Sequence, residues 1–272
     1  MANPSKVHEE VRRHYGDFAR ANARASKSRC CPAQNTLYPA ETLRDLPADI
    51  AGFTAGNGDP VTPANLQAGE IVLDLGSGGG LDCFLAARQV GETGHVIGVD
   101  MTPEMLARAR ENAGRLGVKN VEFREGLLES LPVADDSVDV VISNCVINLA
   151  PDKAQVFREV FRVLKPGGRV SLSDSVTNRP VPKELRENRG EWCGCTSGAL
   201  PYDQYVTELK RAGFVDVRLE PNVELVKQAI QDGTVKVDGE VTDERLRDTL
   251  RNWEKCDTNM FVPHLIFACK PA

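Results

Sequence analysis

No stretch of this chain is apolar for long enough to cross a bilayer, and the segment from Met1 to Arg29 contains no apolar signal core. A spanning helix would need roughly 20 consecutive apolar residues. These absences make the cytoplasm the expected compartment. Blocks of basic residues are missing too: 33 Lys and Arg stand against 39 Asp and Glu, for a net charge of −6. That balance lacks the positive field that nucleic acid or an anionic membrane surface recruits, so neither is expected as a partner. Histidine is scarce, at four residues, and no Cys-x2-Cys pair occurs. A conventional structural zinc site has little to build on. What the chain does have is eight cysteines: Cys30, Cys31, Cys83, Cys145, Cys193, Cys195, Cys256 and Cys269. In a reducing compartment these read as thiols, metalloid ligands or transient redox partners, not as a secretory disulfide framework.

The order of apolar runs and turn residues sets the expected architecture. Val7, Val11, Tyr15 and Phe18 recur at three- and four-residue spacing and predict a helix over residues 5–24. Residues 26–65 are rich in Pro and Gly, with a short helix expected at Ala40–Leu46. A regular alternation follows: strand Ile71–Leu75, helix Leu81–Val90, strand Gly94–Val99, and a helix opened by Thr102-Pro103-Glu104 with an N-cap and an N1 proline. Strands at Val121–Arg124 and Val138–Ser143 and a helix at Lys153–Leu164 come next. Lys165-Pro166-Gly167-Gly168 reads as a turn before a strand at Arg169–Ser173. Helix Tyr202–Ala212, strand Val215–Glu220, a mostly helical 222–257 and strand Phe261–Cys269 complete the chain. Short connections between alternating strands and helices predict an α/β, doubly wound, mainly parallel sheet. Its expected divisions are an N-terminal cover over 1–65, a core over 66–178, and a C-terminal α+β appendage over 179–272.

Two clusters carry chemistry. Asp74-Leu75-Gly76-Ser77-Gly78-Gly79-Gly80 follows the first strand and opens a helix, and Asp100 ends the next strand. Glycines let the backbone turn sharply and approach a ligand, and a strand-terminal carboxylate can accept hydrogen bonds from both hydroxyls of a ribose. A dinucleotide fingerprint would place its third glycine at position 81, where this chain has Leu81. The other cluster is Ser143-Asn144-Cys145, polar residues at the carboxyl end of a buried strand, where open α/β sheets bind ligands. A nicotinamide enzyme with a degenerate loop is the competing reading of the first cluster, and a small buried hydrophobe is the competing reading of Cys145. Cys83 and Cys269 read as core residues, and Cys256 is unassigned.

In the order strand, glycine loop, helix, strand, acid, the chain resembles the class I S-adenosylmethionine (SAM)-dependent methyltransferases over about residues 60–180. The resemblance implies a seven-stranded sheet. It places Asp74, Gly76, Ser77 and Gly78 near the methionine part of SAM, Asp100 on the ribose, and Met101 on the adenine. It also places Gly126, Leu127 and Leu128 along the adenine, with Asn144 completing the wall. Ser143-Asn144-Cys145-Val146-Ile147-Asn148-Leu149 and Trp192-Cys193-Gly194-Cys195-Thr196-Ser197-Gly198 narrow the likeness. Together with Asp82-Cys83 and Val163-Leu164-Lys165-Pro166-Gly167-Gly168 they look like the arsenite methyltransferases.

That family implies Cys145 and Cys195 as ligands of trivalent arsenic, with Cys30, Cys31 or Cys193 as candidates for a third sulfur. It also implies arsenite or its thiol conjugates as substrate, glutathione or thioredoxin as thiol reductant, and a monomer. Soft thiolates select soft centres, so the chemistry agrees with the likeness. One departure stands out. The family usually has a cysteine in a Gly-Cys-Gly-x-Pro segment before the first strand, and this chain has Gly56-Asn57-Gly58-Asp59-Pro60. Two alternatives stay open on sequence: SAM-dependent methylation of a small organic molecule, and a thiol-rich metalloid-binding protein without catalysis.

Overall fold

The structure, a computed structural model, describes residues 4–22, 37–186, 192, 196–231 and 261–272. Cys30, Cys31, Cys193, Cys195 and Cys256 lie outside the described residues, as does most of the helical expectation for 222–257.

The helices are α1 (Pro4–Asn22), α2 (Ala48–Ala51), α3 (Leu81–Val90), α4 (Pro103–Leu116), α5 (Lys153–Val163), α6 (Lys183–Arg186), α7 (Tyr202–Ala212) and α8 (Val223–Gln231). The strands are β1 (Ile71–Leu75), β2 (His95–Asp100), β3 (Val121–Glu125), β4 (Val138–Asn144), β5 (Leu164–Thr177), β6 (Val215–Pro221) and β7 (Phe261–Cys269). They form one seven-stranded sheet in the order β3-β2-β1-β4-β5-β7-β6, parallel except that β7 runs antiparallel to β5 and β6. The doubly wound expectation is met.

Side-chain alternation explains why helices pack on both faces. Val72, Val96, Val140 and Ile142 point to one face and pack with Leu81, Leu85 and Ala86 of α3. Leu73, Ile97 and Val141 point to the other, against Phe157 and Val160 of α5 and Tyr205 of α7. Strands apolar on both faces read as continuous runs because neither face meets water. The Phe157 and Tyr205 rings lie 5.2 Å apart at a tilted angle, which locks α5 to α7. On β7 the buried positions alternate through Val262, His264, Ile266 and Ala268. Burial pushes the His264 imidazole down to about 4, so it is neutral at pH 7 and its Nδ1–H donates to the Val262 carbonyl at 2.9 Å.

Three local expectations are corrected. Ala40–Leu46 is not a helix but a series of separate turns. Thr42, Arg44 and Leu46 donate their N–H groups to carbonyls three residues back, and Asp45 sits at φ +69°. Leu43 and Leu46 spend their apolar surface on the core cluster beside α3 instead of forming a helical stripe. Lys165–Gly168 is absorbed into β5, because Gly167, at φ +78°, donates to the Lys270 carbonyl and Lys270 donates back to Gly168. Thr102 precedes α4 but makes no side-chain cap; its N–H instead donates to Asp100 Oδ1. Among the described residues no helix is long and apolar enough to cross a membrane.

Candidate active site

The strand order reverses between β1 and β4, and at such a switch point the loops leaving adjacent strands diverge and open a crevice. The register pairs Leu75 with Ser143 and Leu75 with Val99. It therefore sets Gly76-Ser77-Gly78, Asp100 and Asn144-Cys145 side by side at the carboxyl ends of three neighbouring strands. They line a cleft with about 950 Å³ of empty space. Of the residues expected at the site, Gly76, Ser77, Gly78, Asp100, Met101, Gly126, Leu127, Leu128, Asn144 and Cys145 all line it.

Asp100 is held rigidly. Its Oδ2 accepts the Gly78 N–H at 2.9 Å and its Oδ1 accepts the Thr102 N–H at 2.8 Å. Each oxygen keeps a second lone pair for a ligand hydroxyl. Burial raises its pKa, and these backbone donors counteract part of the rise. At Gly78, with φ +51°, an added Cβ would meet no protein atom closer than 4.0 Å, so the backbone there borders open space. Ser77 lines the same cleft, while its Oγ is buried against β2, 2.8 Å from where a Cβ at Gly98 would stand. Met101, Leu127 and Leu128 add apolar lining to the cleft.

Asp74 stands apart from the cleft. Its carboxyl accepts the Cys83 thiol at 3.1 Å, and both groups are buried. Behind the glycine loop lies a polar knot in which the Tyr38 hydroxyl donates to Asp82 Oδ1 at 2.5 Å. Burial pushes the Asp82 carboxyl up to about 7, against the hydrogen bonds from Tyr38 and Asn144. Asn144 reaches this knot from β4, donating to the Gly58 carbonyl at 2.6 Å and to Tyr38 Oη at 2.9 Å. Its amide thus holds the 56–58 loop against the sheet while its edge lines the cleft.

Cys145 is the first residue past β4. It adopts φ +60°, a left-handed conformation that is uncommon for a residue with a side chain. Such a backbone costs about 1–3 kcal/mol and persists only where its surroundings over-determine it, most often at functional sites. Its N–H donates to the Ser173 carbonyl at 2.7 Å, and it packs with Val7, Val11 and Leu149. Trp192 joins the same cluster, and its indole N–H donates to the Leu149 carbonyl at 3.1 Å.

Sequence reasoning expected an N-terminal cover but not that it roofs the cleft. Helix α1 lies over the cleft with His8, Val11, Tyr15 and Phe18 on the wall, and Phe53 closes the side. The helix is tied down by His8 to Glu129 at 3.1 Å, by Arg12 Nε to the Met101 carbonyl at 3.1 Å, and by an Arg20–Glu104 ion pair. The Arg108 guanidinium stacks on Phe53 at 3.9 Å. The Val7–Phe18 stripe was visible in the sequence, but nothing there said which surface it covers.

Beneath Cys145 a second polar group is buried. Asp174 Oδ1 accepts Asn148 Nδ2 at 2.7 Å and the Ser175 N–H at 2.9 Å. Burial pushes its carboxyl up to about 7, opposed chiefly by the Lys153 ammonium. A carboxyl raised from 3.8 to about 7 holds a proton in the folded chain that the unfolded chain releases. Stability therefore falls as pH rises from about 4 to about 7, by up to about 1.4 kcal/mol per pH unit for one such group. Asp174→Asn is expected to flatten that slope by about one proton, read from denaturant midpoints measured between pH 4 and 8. An unchanged slope would mean that Asp174 is ionised throughout.

Comparisons with known proteins agree with this geometry. A family model described as a methyltransferase domain matches residues 66–213. An arsenite methyltransferase of Halobacterium salinarum is 43% identical over 238 residues, covering 82% of this chain and 61% of that protein. The arsenite methyltransferase of Homo sapiens is 35% identical over 79% of this chain and 60% of its own length. This chain thus spans about three fifths of the curated relatives it matches. Among solved structures, an arsenic(III) S-adenosylmethionine methyltransferase from Chlamydomonas reinhardtii superposes with a TM-score of 0.64. It is 31% identical, and the match covers 89% of this chain and 75% of that one.

Proposed function

Because this chain belongs to the SAM-dependent methyltransferases and, within them, to the arsenite methyltransferase family, we propose that it methylates trivalent arsenic held on Cys145 and Cys195. The observation that carries the reading is Cys145 itself, a thiol in a left-handed backbone on the wall of the cleft that Gly78 and Asp100 build. The cleft suits SAM. Asp100 offers lone pairs to a ribose diol, Met101, Leu127 and Leu128 offer an apolar face to adenine, and Gly78 leaves its backbone open to the ligand. When bound, SAM supplies a methyl group on a cationic sulfur.

The protein's own work is to capture and aim the arsenic. The Cys145 thiol displaces one hydroxyl of arsenite: an S–As bond forms, an As–OH bond breaks, and the thiol proton leaves with the hydroxyl as water. A second thiol repeats the exchange and fixes the atom, leaving its lone pair to attack the methyl. No general base is needed at that point, because the nucleophile has no proton to lose. Catalysis is then mostly positioning, which can supply several kcal/mol. Transfer would form an As–C bond and break the methyl–sulfur bond, leaving a neutral thioether and arsenic raised by two oxidation levels. Two thiols of glutathione or thioredoxin return it to the trivalent state as they are oxidised to a disulfide.

Support for Cys195 comes from its neighbour. Trp192 packs in the Cys145 cluster, and three residues of extended chain reach about 11 Å. Asn57 offers no sulfur, and its amide is already bonded to Ser173 and Ser175. A third ligand therefore comes from Cys30, Cys31, Cys193 or an external thiol. Incubation with arsenite, SAM and glutathione is expected to yield methylarsenicals by arsenic speciation. A folded, SAM-binding protein that yields none overturns the proposal. An organic substrate still methylated by the Cys145→Ser, Cys195→Ser double variant would replace it.

A further inference from the structure

The loop Gly56-Asn57-Gly58 crosses the carboxyl ends of β4 and β5 in a contact too close for side chains on either flank. A Cβ at position 56 would fall 2.2 Å from Asn144 Cγ, and one at position 58 would fall 2.1 Å from Ser173 Oγ. Between the two glycines, Asn57 makes three hydrogen bonds to the strand ends. Its backbone N–H donates to Asn144 Oδ1 at 2.9 Å, its Nδ2 donates to Ser175 Oγ at 2.9 Å, and its Oδ1 accepts the Ser173 hydroxyl at 3.1 Å. Asn144 and Ser173 are direct partners in the β4–β5 register. Cys145 follows Asn144 in the chain and donates its N–H to the Ser173 carbonyl at 2.7 Å.

One residue therefore grips both the residue before Cys145 and the residue to which Cys145 is bonded. We propose that Asn57 is the positioning residue for Cys145: by bridging the ends of β4 and β5 it holds Cys145 in its left-handed backbone, with the thiol on the cleft wall. The proposal rests on the reading of Cys145 as the arsenic-binding thiol. Asn57 touches neither reactant; it acts through Asn144 and Ser173. Its amide donates to one serine of β5 and accepts from another, while its backbone N–H holds Asn144 of β4, so the side chain anchors the bridge to β5 and the backbone ties it to the neighbouring strand. Bonds of this kind matter to reactivity because a small displacement of a reacting atom costs far more rate than binding.

The test compares Asn57→Ala with wild type by peptide-resolved alkylation of Cys145 with iodoacetamide. Methyl-transfer turnover, the SAM dissociation constant and the thermal midpoint are measured on the same preparations. The alkylation rate of Cys145 is expected to shift by at least about threefold and turnover to fall about tenfold. SAM affinity is expected to stay within about twofold, with the melting temperature nearly unchanged. Asn57→Asp, whose two oxygens accept from both serine hydroxyls, is expected to restore most of the turnover and the wild-type alkylation rate. Wild-type alkylation and turnover in Asn57→Ala would overturn the proposal. So would a parallel loss of SAM binding, stability and turnover, because that pattern marks a general structural role. If wild-type protein produces no methylarsenical, the function proposed above fails while the alkylation measurement still decides this one. In that case a shifted rate supports it and an unchanged rate overturns it.

Discussion

Cys145→Ser is expected to lower methylarsenical formation by at least about 100-fold while leaving SAM binding within about threefold. The substitution changes one atom. Serine fits the same left-handed backbone, keeps the N–H bond to the Ser173 carbonyl, and occupies slightly less space among Val7, Val11 and Leu149. What it removes is a soft ligand: an un-ionised hydroxyl exchanges onto arsenic poorly and holds it weakly, whereas a thiol forms the stable S–As bond that fixes the lone pair. Loss of that bond removes the positioning from which most of the rate derives. The measurement pairs arsenic speciation with calorimetric titration of SAM. Retained product in a fully folded Cys145→Ser protein would sink the assignment. A collapse of SAM binding would show that the cysteine serves the cofactor cleft instead.

Asp100→Asn should weaken SAM binding by about 100-fold. The carboxylate accepts from Gly78 N–H and Thr102 N–H and still has lone pairs for a ligand diol. An amide carries one acceptor atom in place of two and no charge. Either the glycine loop or α4 then loses its anchor, and a ribose hydroxyl loses a charge-assisted bond worth about 1.5–3 kcal/mol. Two coupled losses of that kind give the expected factor. Burial already raises the Asp100 pKa, and ligand hydroxyls that donate to the ionised form would lower it again. SAM affinity is therefore expected to weaken at acid pH in wild type and to lose that dependence in Asp100→Asn. Unchanged affinity in the variant would remove Asp100 from the cofactor site.

Much of this architecture was legible from local rules. The alternation of apolar runs located β1, α3 and β7 to the residue, because strands buried on both faces and a helix bounded by glycine leave little choice. The glycine loop and Asp100 were legible for the same reason: a ligand-binding turn needs residue types that appear for few other purposes. Ala40–Leu46 misled because its leucines have helical spacing, yet they satisfy themselves against the core through separate turns. The resemblance to the SAM-dependent methyltransferases implied a cofactor role for Asp74, which does not line the cleft. Its side chain points from β1 to the α3 face, where it meets Cys83, a direction set by the alternation of strand side chains.

By itself, then, the sequence determined the succession of elements, the switch-point loop and the presence of a thiol at the end of β4, since each depends on residues close together in the chain. Only the tertiary structure decided what surrounds that thiol. The bridge from Asn57 to Ser173 and Ser175 and the roof of α1 join residues about 100 positions apart, and the left-handed turn at Cys145 is tied to Ser173 on the next strand. No local pattern encodes such contacts. They exist because the sheet register brings the strand ends together and leaves the loops no other surface on which to bury their polar and apolar groups.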